Sequence, residues 1–275
     1  MHSAHDLFFP SVTWYAAYAA CGAIVGFLAG MLGIGGGMTL VPILSALFVA
    51  QAMTPDHTVH LALGTAMASI VFTSSASVRE HHRHAAVDWG IVKRMVPGML
   101  VGALIATVAS GWIPQRTLAI AFAVIVYAGA TQIFIGTKPA AHAAMPGPAG
   151  VFAVGTVIGV IAGLVSAGGT FLTVPFMLYC GVRMHTAIGT GAAIGIPVAL
   201  IGSIGFIVSG WRIEHLPPWS LGFVYLPALA LLVAASIVTA PIGARAAHKL
   251  PVHTLRRVFA VLLYALATKM LVTYW

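Results

Sequence analysis

Hydrophobic and polar positions divide the chain into ten apolar runs, parted by glycine, proline and short clusters of charge. The runs cover 12–32, 38–50, 59–78, 90–110 and 114–135, then 151–165, 171–181, 186–208, 220–240 and 254–274. A helix needs about 20 residues to cross a ~30 Å hydrocarbon core, so the second and seventh runs are too short to span it upright. Each of these short runs follows directly on a glycine-rich break. The pattern predicts an all-α polytopic membrane protein of about ten helical segments, with one short half-helix in each half of the chain.

The halves repeat one another. Gly22 to Pro42 aligns without gaps on Gly155 to Pro175, with Gly22, Gly26, Ala29, Gly30, Gly35, Gly36, Val41 and Pro42 identical in the second copy. His60 to Thr65 (HLALGT) aligns on His185 to Thr190 (HTAIGT), and Pro114 to Thr131 aligns on Pro251 to Thr268. Three blocks in one order define a first membrane repeat over 1–135, a Pro/Gly/Ala-rich linker over 136–150 and a second membrane repeat over 151–275.

Charge predicts how the copies are oriented. If each short segment folds back to the face it came from, ten Lys/Arg lie on one face: Arg79, Arg83, Lys93, Arg94, Lys138, Arg183, Arg245, Lys249, Arg256 and Arg257. Only Arg116, Arg212 and Lys269 lie on the other. Positive residues favour the cytoplasmic side, so this arrangement puts the N-terminus outside and makes the two five-segment halves inverted repeats. The rival reading makes 12–50 and 151–181 single broken helices in parallel halves, which leaves seven positive residues against six. It also asks ~58 Å of helix to make one ~30 Å crossing.

Composition agrees with lipid as solvent: 60% of the 275 residues are hydrophobic and 7% are charged, against about 25% charged in soluble domains. The net charge of +8 sits in short loops and reads as membrane topology, not as a nucleic-acid surface. Cys21 and Cys180 lie inside apolar runs and read as packing residues. No Lys or Arg precedes Arg79, so the expectation is insertion through the chain's own helices without a cleaved signal peptide.

Candidate chemistry gathers at the two breaks. Gly33, Gly35, Gly36 and Gly37, and then Gly168, Gly169 and Thr170, precede short helices. The first amides of a helix have no intrahelical acceptor and carry the positive end of its dipole, which makes them a place for an anion. Thr39 and Thr173 inside the short helices, with Thr65 and Thr190 on the next ones, are further hydroxyl donors. His60 and His185 open those long helices and are read as a candidate proton relay. Gly22, Gly26, Gly30, Gly155, Gly159 and Gly163, spaced by four, are read as close helix packing. His81, His82 and His84 stand among Arg79 and Arg83 and read as a solvated loop. All five acids fall in loops or at segment ends, where a cation carrier would need one at mid-span. No nucleophile–base pair, cofactor motif or metal signature stands out, so the reading expects no enzyme activity, no cofactor and no metal.

The doubled motif Gly22, Gly26, Gly30, Gly35, Gly36, Val41, Pro42 and Gly155, Gly159, Gly163, Gly168, Gly169, Val174, Pro175 resembles the sulfite exporter TauE/SafE family. The resemblance implies an inner-membrane transporter of sulfite, a short organosulfonate or another small sulfur-containing anion, with export favoured and access alternating between the two faces. Membrane lipid is the other expected partner, nucleic acid is not one, and a homodimer is compatible with the chain. The second copy departs from the full glycine run, with Ser166 for Gly33 and Thr170 for Gly37, which makes the half-sites unequal. A channel for anions or small solutes, or a membrane-embedded assembly factor or enzyme, are the alternatives.

Overall fold

The computed structural model describes residues 12–32, 36–135, 144–247 and 252–275. Among them are ten α-helices: α1 Val12–Leu32, α2 Gly37–Ala50, α3 Thr58–Arg83, α4 Trp89–Ser110, α5 Gln115–Ile135, α6 Pro148–Val165, α7 Thr170–Tyr179, α8 Met184–Gly210, α9 Leu226–Ala247 and α10 Val252–Tyr274. Eight are long and apolar enough to cross a bilayer, while α2 and α7 are not. Helices dominate because hydrocarbon offers backbone groups no partners, and a helix satisfies its own. The chain is an all-α, multi-pass membrane protein.

Both breaks turn the chain back on the helix before. Gln51, just past α2, donates from Nε2 to the Tyr18 hydroxyl at 2.6 Å, and Phe48 lies edge-on to Tyr18 at 6.2 Å. The end of α2 therefore lies beside the start of α1, which excludes one continuous broken helix over 12–50. Gly36 packs beside Val25 and Ala29 of α1, and the aligned Gly169 packs beside Ile158 and Ala162 of α6.

The long helices pack mainly across the two halves: α1 on α9, α4 on α6 and α8, α3 on α8, and α5 on α10. The four-residue glycine spacing explains the first two pairs. A Cβ at Gly22 would lie 2.6 Å from the Leu232 carbonyl, and one at Gly26 would lie 2.5 Å from Ser236 Cα. Gly30 abuts the Ala240 carbonyl, and the Ser236 hydroxyl donates to the Gly22 carbonyl at 2.9 Å. In the other half Gly155, Gly159 and Gly163 meet Met95, Met99 and Ala103, the residues that align with Leu232, Ser236 and Ala240. Without side chains in the way, dispersion contacts and backbone carbonyls hold the helices together where lipid supplies no hydrophobic drive.

Two pairs of aligned helices run antiparallel. In α3 and α8, Gly64 faces Phe206, Met67 faces Gly202 and Ser74 faces Gly195. In α5 and α10, Arg116 stacks on Trp275 at one end and Arg257 on Phe134 at the other. Between them Tyr127 pairs with Thr268 at 2.5 Å, and Thr131 pairs with Tyr264 at 2.6 Å.

Sequence and structure differ at two boundaries. The run 220–240 does not begin a helix. Ser220–Leu221 and Val224–Tyr225 form a small antiparallel hairpin around Gly222 at φ +53, and α9 starts only at Leu226, with Pro227 in its first turn. At the other boundary α3 runs on to Arg83, so His81 and His82 lie in its last turn and are not loop residues.

Candidate functional site

The two glycine breaks touch. Gly37 opens α2 with its Cα face against the carbonyl of Ser166, and a Cβ there would lie 3.0 Å from Ala167 Cα. Ser166 ends α6 and opens the turn into α7, so the N-terminus of α2 lies against the connection that leads to the N-terminus of α7, and Met38 and Phe171 from the two first turns both reach Gly129. Neither N-cap, Gly36 or Gly169, offers a side-chain hydrogen bond to its helix. Bonding begins with Thr39 and Leu40 N–H to the Gly36 carbonyl (3.2 and 2.9 Å), and with Leu172 and Thr173 N–H to the Gly169 carbonyl (3.0 and 2.9 Å). The amides before them, of Gly37 and Met38 and of Thr170 and Phe171, are first-turn donors outside the intrahelical ladder.

The second break turns sharply. Gly168 and Gly169 take φ +62 and +81, which glycine adopts without a Cβ clash. Ser166 also turns left-handed, at φ +48, and its fully buried hydroxyl has no hydrogen-bond partner. Around this turn stand Ile70 and Ser74 of α3 and Gly195 of α8. A Cβ at Gly195 would lie 3.3 Å from Ser74 Oγ, 3.6 Å from the Gly168 carbonyl and 3.8 Å from Thr170 Oγ1. The groups that meet are backbone, hydroxyl and apolar. The described acids that bear on charge lie elsewhere: Asp56 and Glu214 are exposed in connections, and Asp88 caps α4 by accepting from Gly90 and Ile91 N–H.

The residues singled out from sequence separate into groups. Gly36, Gly37, Gly168, Gly169 and Thr170 gather at the meeting of the breaks, while Gly33 and Gly35 lie outside the described residues. Thr39 is buried there, with its hydroxyl donating to the Gly36 carbonyl at 2.9 Å. Thr173, also buried, turns its hydroxyl to the Thr170 carbonyl and packs on Gly191. Thr65 and Thr190 are engaged elsewhere. Thr65 Oγ1 accepts from Tyr225 N–H, and Thr190 Oγ1 from Asp88 N–H, both at 2.9 Å, just ahead of α9 and α4. His60 is buried with Nε2 on the Ser110 and Ile113 carbonyls, whereas His185 is exposed. These two histidines are not brought together. Ser166 and Ser74 stand at the same place and were not singled out from sequence as candidates. The available signal for Ser166 was a serine standing where the first copy has glycine.

Residues 18–270 match the family described as Sulfite exporter TauE/SafE. A "Probable membrane transporter protein" of Haemophilus influenzae is 34% identical over 250 residues, covering 90% of this chain and 95% of the relative. A protein of the same description from Xylella fastidiosa is 26% identical over 265 residues, covering 92% and 94%, and the "Probable membrane transporter protein YdhB" of Bacillus subtilis is 24% identical over 195 residues, covering 68% and 77%. No solved structure matches the chain. A match of that extent, on a helical membrane scaffold, makes this chain a membrane transporter belonging to the sulfite exporter TauE/SafE family.

Proposed function

We propose that this transporter carries a small oxyanion, sulfite or a short organosulfonate, out across the bacterial inner membrane, and that the anion binds where the glycine breaks meet. The contact of Gly37 with Ser166 carries the reading. It sets the uncapped N-terminus of α2 against the turn that runs from Ser166 into the uncapped N-terminus of α7, inside an apolar protein, and first-turn amides in such a medium favour an anion over water or a cation. The ligands are the first-turn amides of α2 and α7, the hydroxyls of Ser166 and Thr170, and those of Thr39 and Thr173 at their edge.

The two halves act as inverted repeats. Antiparallel packing of α3 on α8 and of α5 on α10, with Gly64–Phe206 answered by Gly189–His81 and Tyr127–Thr268 by Thr131–Tyr264, supports a pseudo-two-fold axis in the membrane plane. Rocking of one repeat against the other about the shared site then exposes it to either face in turn. The N-terminus lies outside, as the ten positive residues opposing three support. An inside-negative potential drives an anion outward with ~2.3 kcal/mol per charge per 100 mV.

The test is flux in proteoliposomes with sulfite, sulfate, short sulfonates and carboxylates, with and without a pH gradient. Saturable flux with counter-exchange of sulfite or a sulfonate is expected; flux proportional to concentration without exchange would mean a channel. Gly36→Val is the informative variant. Gly36 has a helical φ of −63, and the new Cβ would meet Val25 Cγ1 at 2.6 Å, Ala29 Cβ at 3.7 Å and the Val25 carbonyl at 3.9 Å, so Val25 must shift to admit it. In variant protein shown to be folded by its Tm, the isopropyl group covers the α2 amides, and flux should fall by about ten-fold or more, the worth of one charge-assisted hydrogen bond. Undiminished flux would remove the site.

A further inference from the structure

Away from the glycine breaks, four buried polar atoms lack hydrogen-bond partners where the α2–α3 turn meets the α4–α5 turn: Thr54 Oγ1, His57 Nδ1, His60 Nδ1 and Gln115 Oε1. The donors around them are committed to carbonyls. His60 Nε2 lies 3.0 Å from the Ser110 carbonyl and 3.1 Å from that of Ile113. Carbonyls only accept, so Nε2 carries the proton and Nδ1 keeps its lone pair. Gln115 Nε2 donates to the Pro55 carbonyl at 2.5 Å, which orients the amide and leaves Oε1 on its other side. The Thr58 hydroxyl donates to the Thr54 and Met53 carbonyls. Phe223 covers both imidazoles, at 4.9 Å from His60 and 5.6 Å from His57.

We propose that this cluster binds a divalent transition-metal ion of the Zn²⁺ class, held by His57 Nδ1 and His60 Nδ1 with Gln115 Oε1 and Thr54 Oγ1 beside them.

His60 Nδ1 and Gln115 Oε1 are held as acceptors by the carbonyls that their other nitrogens meet, His57 Nδ1 and the Thr54 hydroxyl each have a lone pair to offer, and a metal ion answers lone pairs without bringing any of its own. Ring geometry fits: Zn–N bonds of about 2.0–2.1 Å at a tetrahedral angle set two imidazole centroids about 5 Å apart, and here they are 5.3 Å apart and inclined by 70°. A metal-binding histidine characteristically gives its other N–H to a backbone carbonyl, which fixes the tautomer, and His60 does this twice. Nor does the fold require these residues. The second repeat builds the same elements with Val182 aligned to His57 and Val252 aligned to Gln115. Among the described residues no three His, Cys, Asp or Glu side chains gather in a metal-binding group. The ion would therefore have two imidazoles and neutral oxygens, a set suited to a readily exchanged Zn²⁺. The expectation from sequence was no metal; it looked to His81, His82 and His84 and passed over the His57-x-x-His60 spacing.

The test is isothermal titration of the detergent-purified full chain with Zn²⁺, repeated by the visible absorption of Co²⁺. His60 ties down two carbonyls and its removal endangers the fold, so the working variants are His57→Ala and Gln115→Ala, compared with a chain in which His81, His82 and His84 are glutamine. One saturable equivalent should be seen in the parent and in the triple glutamine variant. It should be lost in His57→Ala and weakened about ten-fold in Gln115→Ala, with Zn²⁺ raising the Tm of the parent but not of His57→Ala. Equal uptake by parent and His57→Ala, or no saturable uptake by either, would overturn the site and leave the four atoms to ordered water.

Discussion

A serine held at φ +48, with its hydroxyl buried and unpartnered, is destabilising twice over. The left-handed backbone costs a non-glycine residue about 1–2 kcal/mol, and an unsatisfied buried hydroxyl costs about 1–3 kcal/mol. The first repeat manages the aligned position with Gly33, so a glycine is the simpler solution for the turn. If Ser166 is kept because its hydroxyl donates to the anion, Ser166→Gly should divide the two effects. Stability should rise by about 2 kcal/mol or more, read as a higher Tm, as strain and the orphaned hydroxyl go together. The KM for the transported anion should rise about ten-fold, the equivalent of one hydrogen bond to a charged group. A raised Tm with unchanged KM would take Ser166 out of the binding set while leaving the backbone amides in it.

At the level of helices, the Gly-Thr pair of each repeat acts in the same way twice. Gly64 lets the carbonyl of Phe223 come close to α3, and Thr65 then accepts the Tyr225 N–H; Gly189 and Thr190 do the same for Ala86 and Asp88. The chain entering α9 is thus seated by the first repeat, and the chain entering α4 by the second. Thr65→Val and Thr190→Val keep the shape and remove the acceptor, so each should lower stability by about 1–3 kcal/mol, read as a shift in Tm. The KM of the transported anion should be unmoved, and a raised KM in either variant would return that threonine to the binding set. This seating role was not legible in the sequence, because the partners lie 160 and 102 residues from their threonines. Other features were legible. α1 coincides with its apolar run and α5 ends where its run ends, and the four-residue glycine spacing marked the packing faces of α1 and α6, though not that α9 and α4 would cover them. The start of α9 was hidden because Leu221, Phe223, Val224 and Tyr225 are as apolar as a helix would be. The two breaks were legible as candidate binding elements. The four-atom cluster was not, because Gln115 reaches it from 60 residues away.

Across the whole molecule, orientation decides whether one site can face both sides. Two copies pointing the same way would carry their breaks in the same sense, with no axis to bring the N-termini of α2 and α7 together. Two inverted copies place equivalent connections on opposite faces. The α3–α4 connection around His84 and the α8–α9 connection around Arg212 are such equivalents, and the second is exposed and joined to the hairpin that seats α9. With Cys21 and Cys180 replaced by alanine, single cysteines at His84 and Arg212 should therefore differ in access to an impermeant maleimide. Arg212→Cys should react in intact cells, and His84→Cys only after the membrane is opened. The α5–α10 contacts call for the same result from another pair, since Trp275 stacks on Arg116 and Arg257 on Phe134. Trp275→Cys should label from outside together with Arg212→Cys. Labelling of His84→Cys and Arg212→Cys from one side would make the halves parallel. The two glycine breaks would then lose the symmetry that makes them a single alternating site.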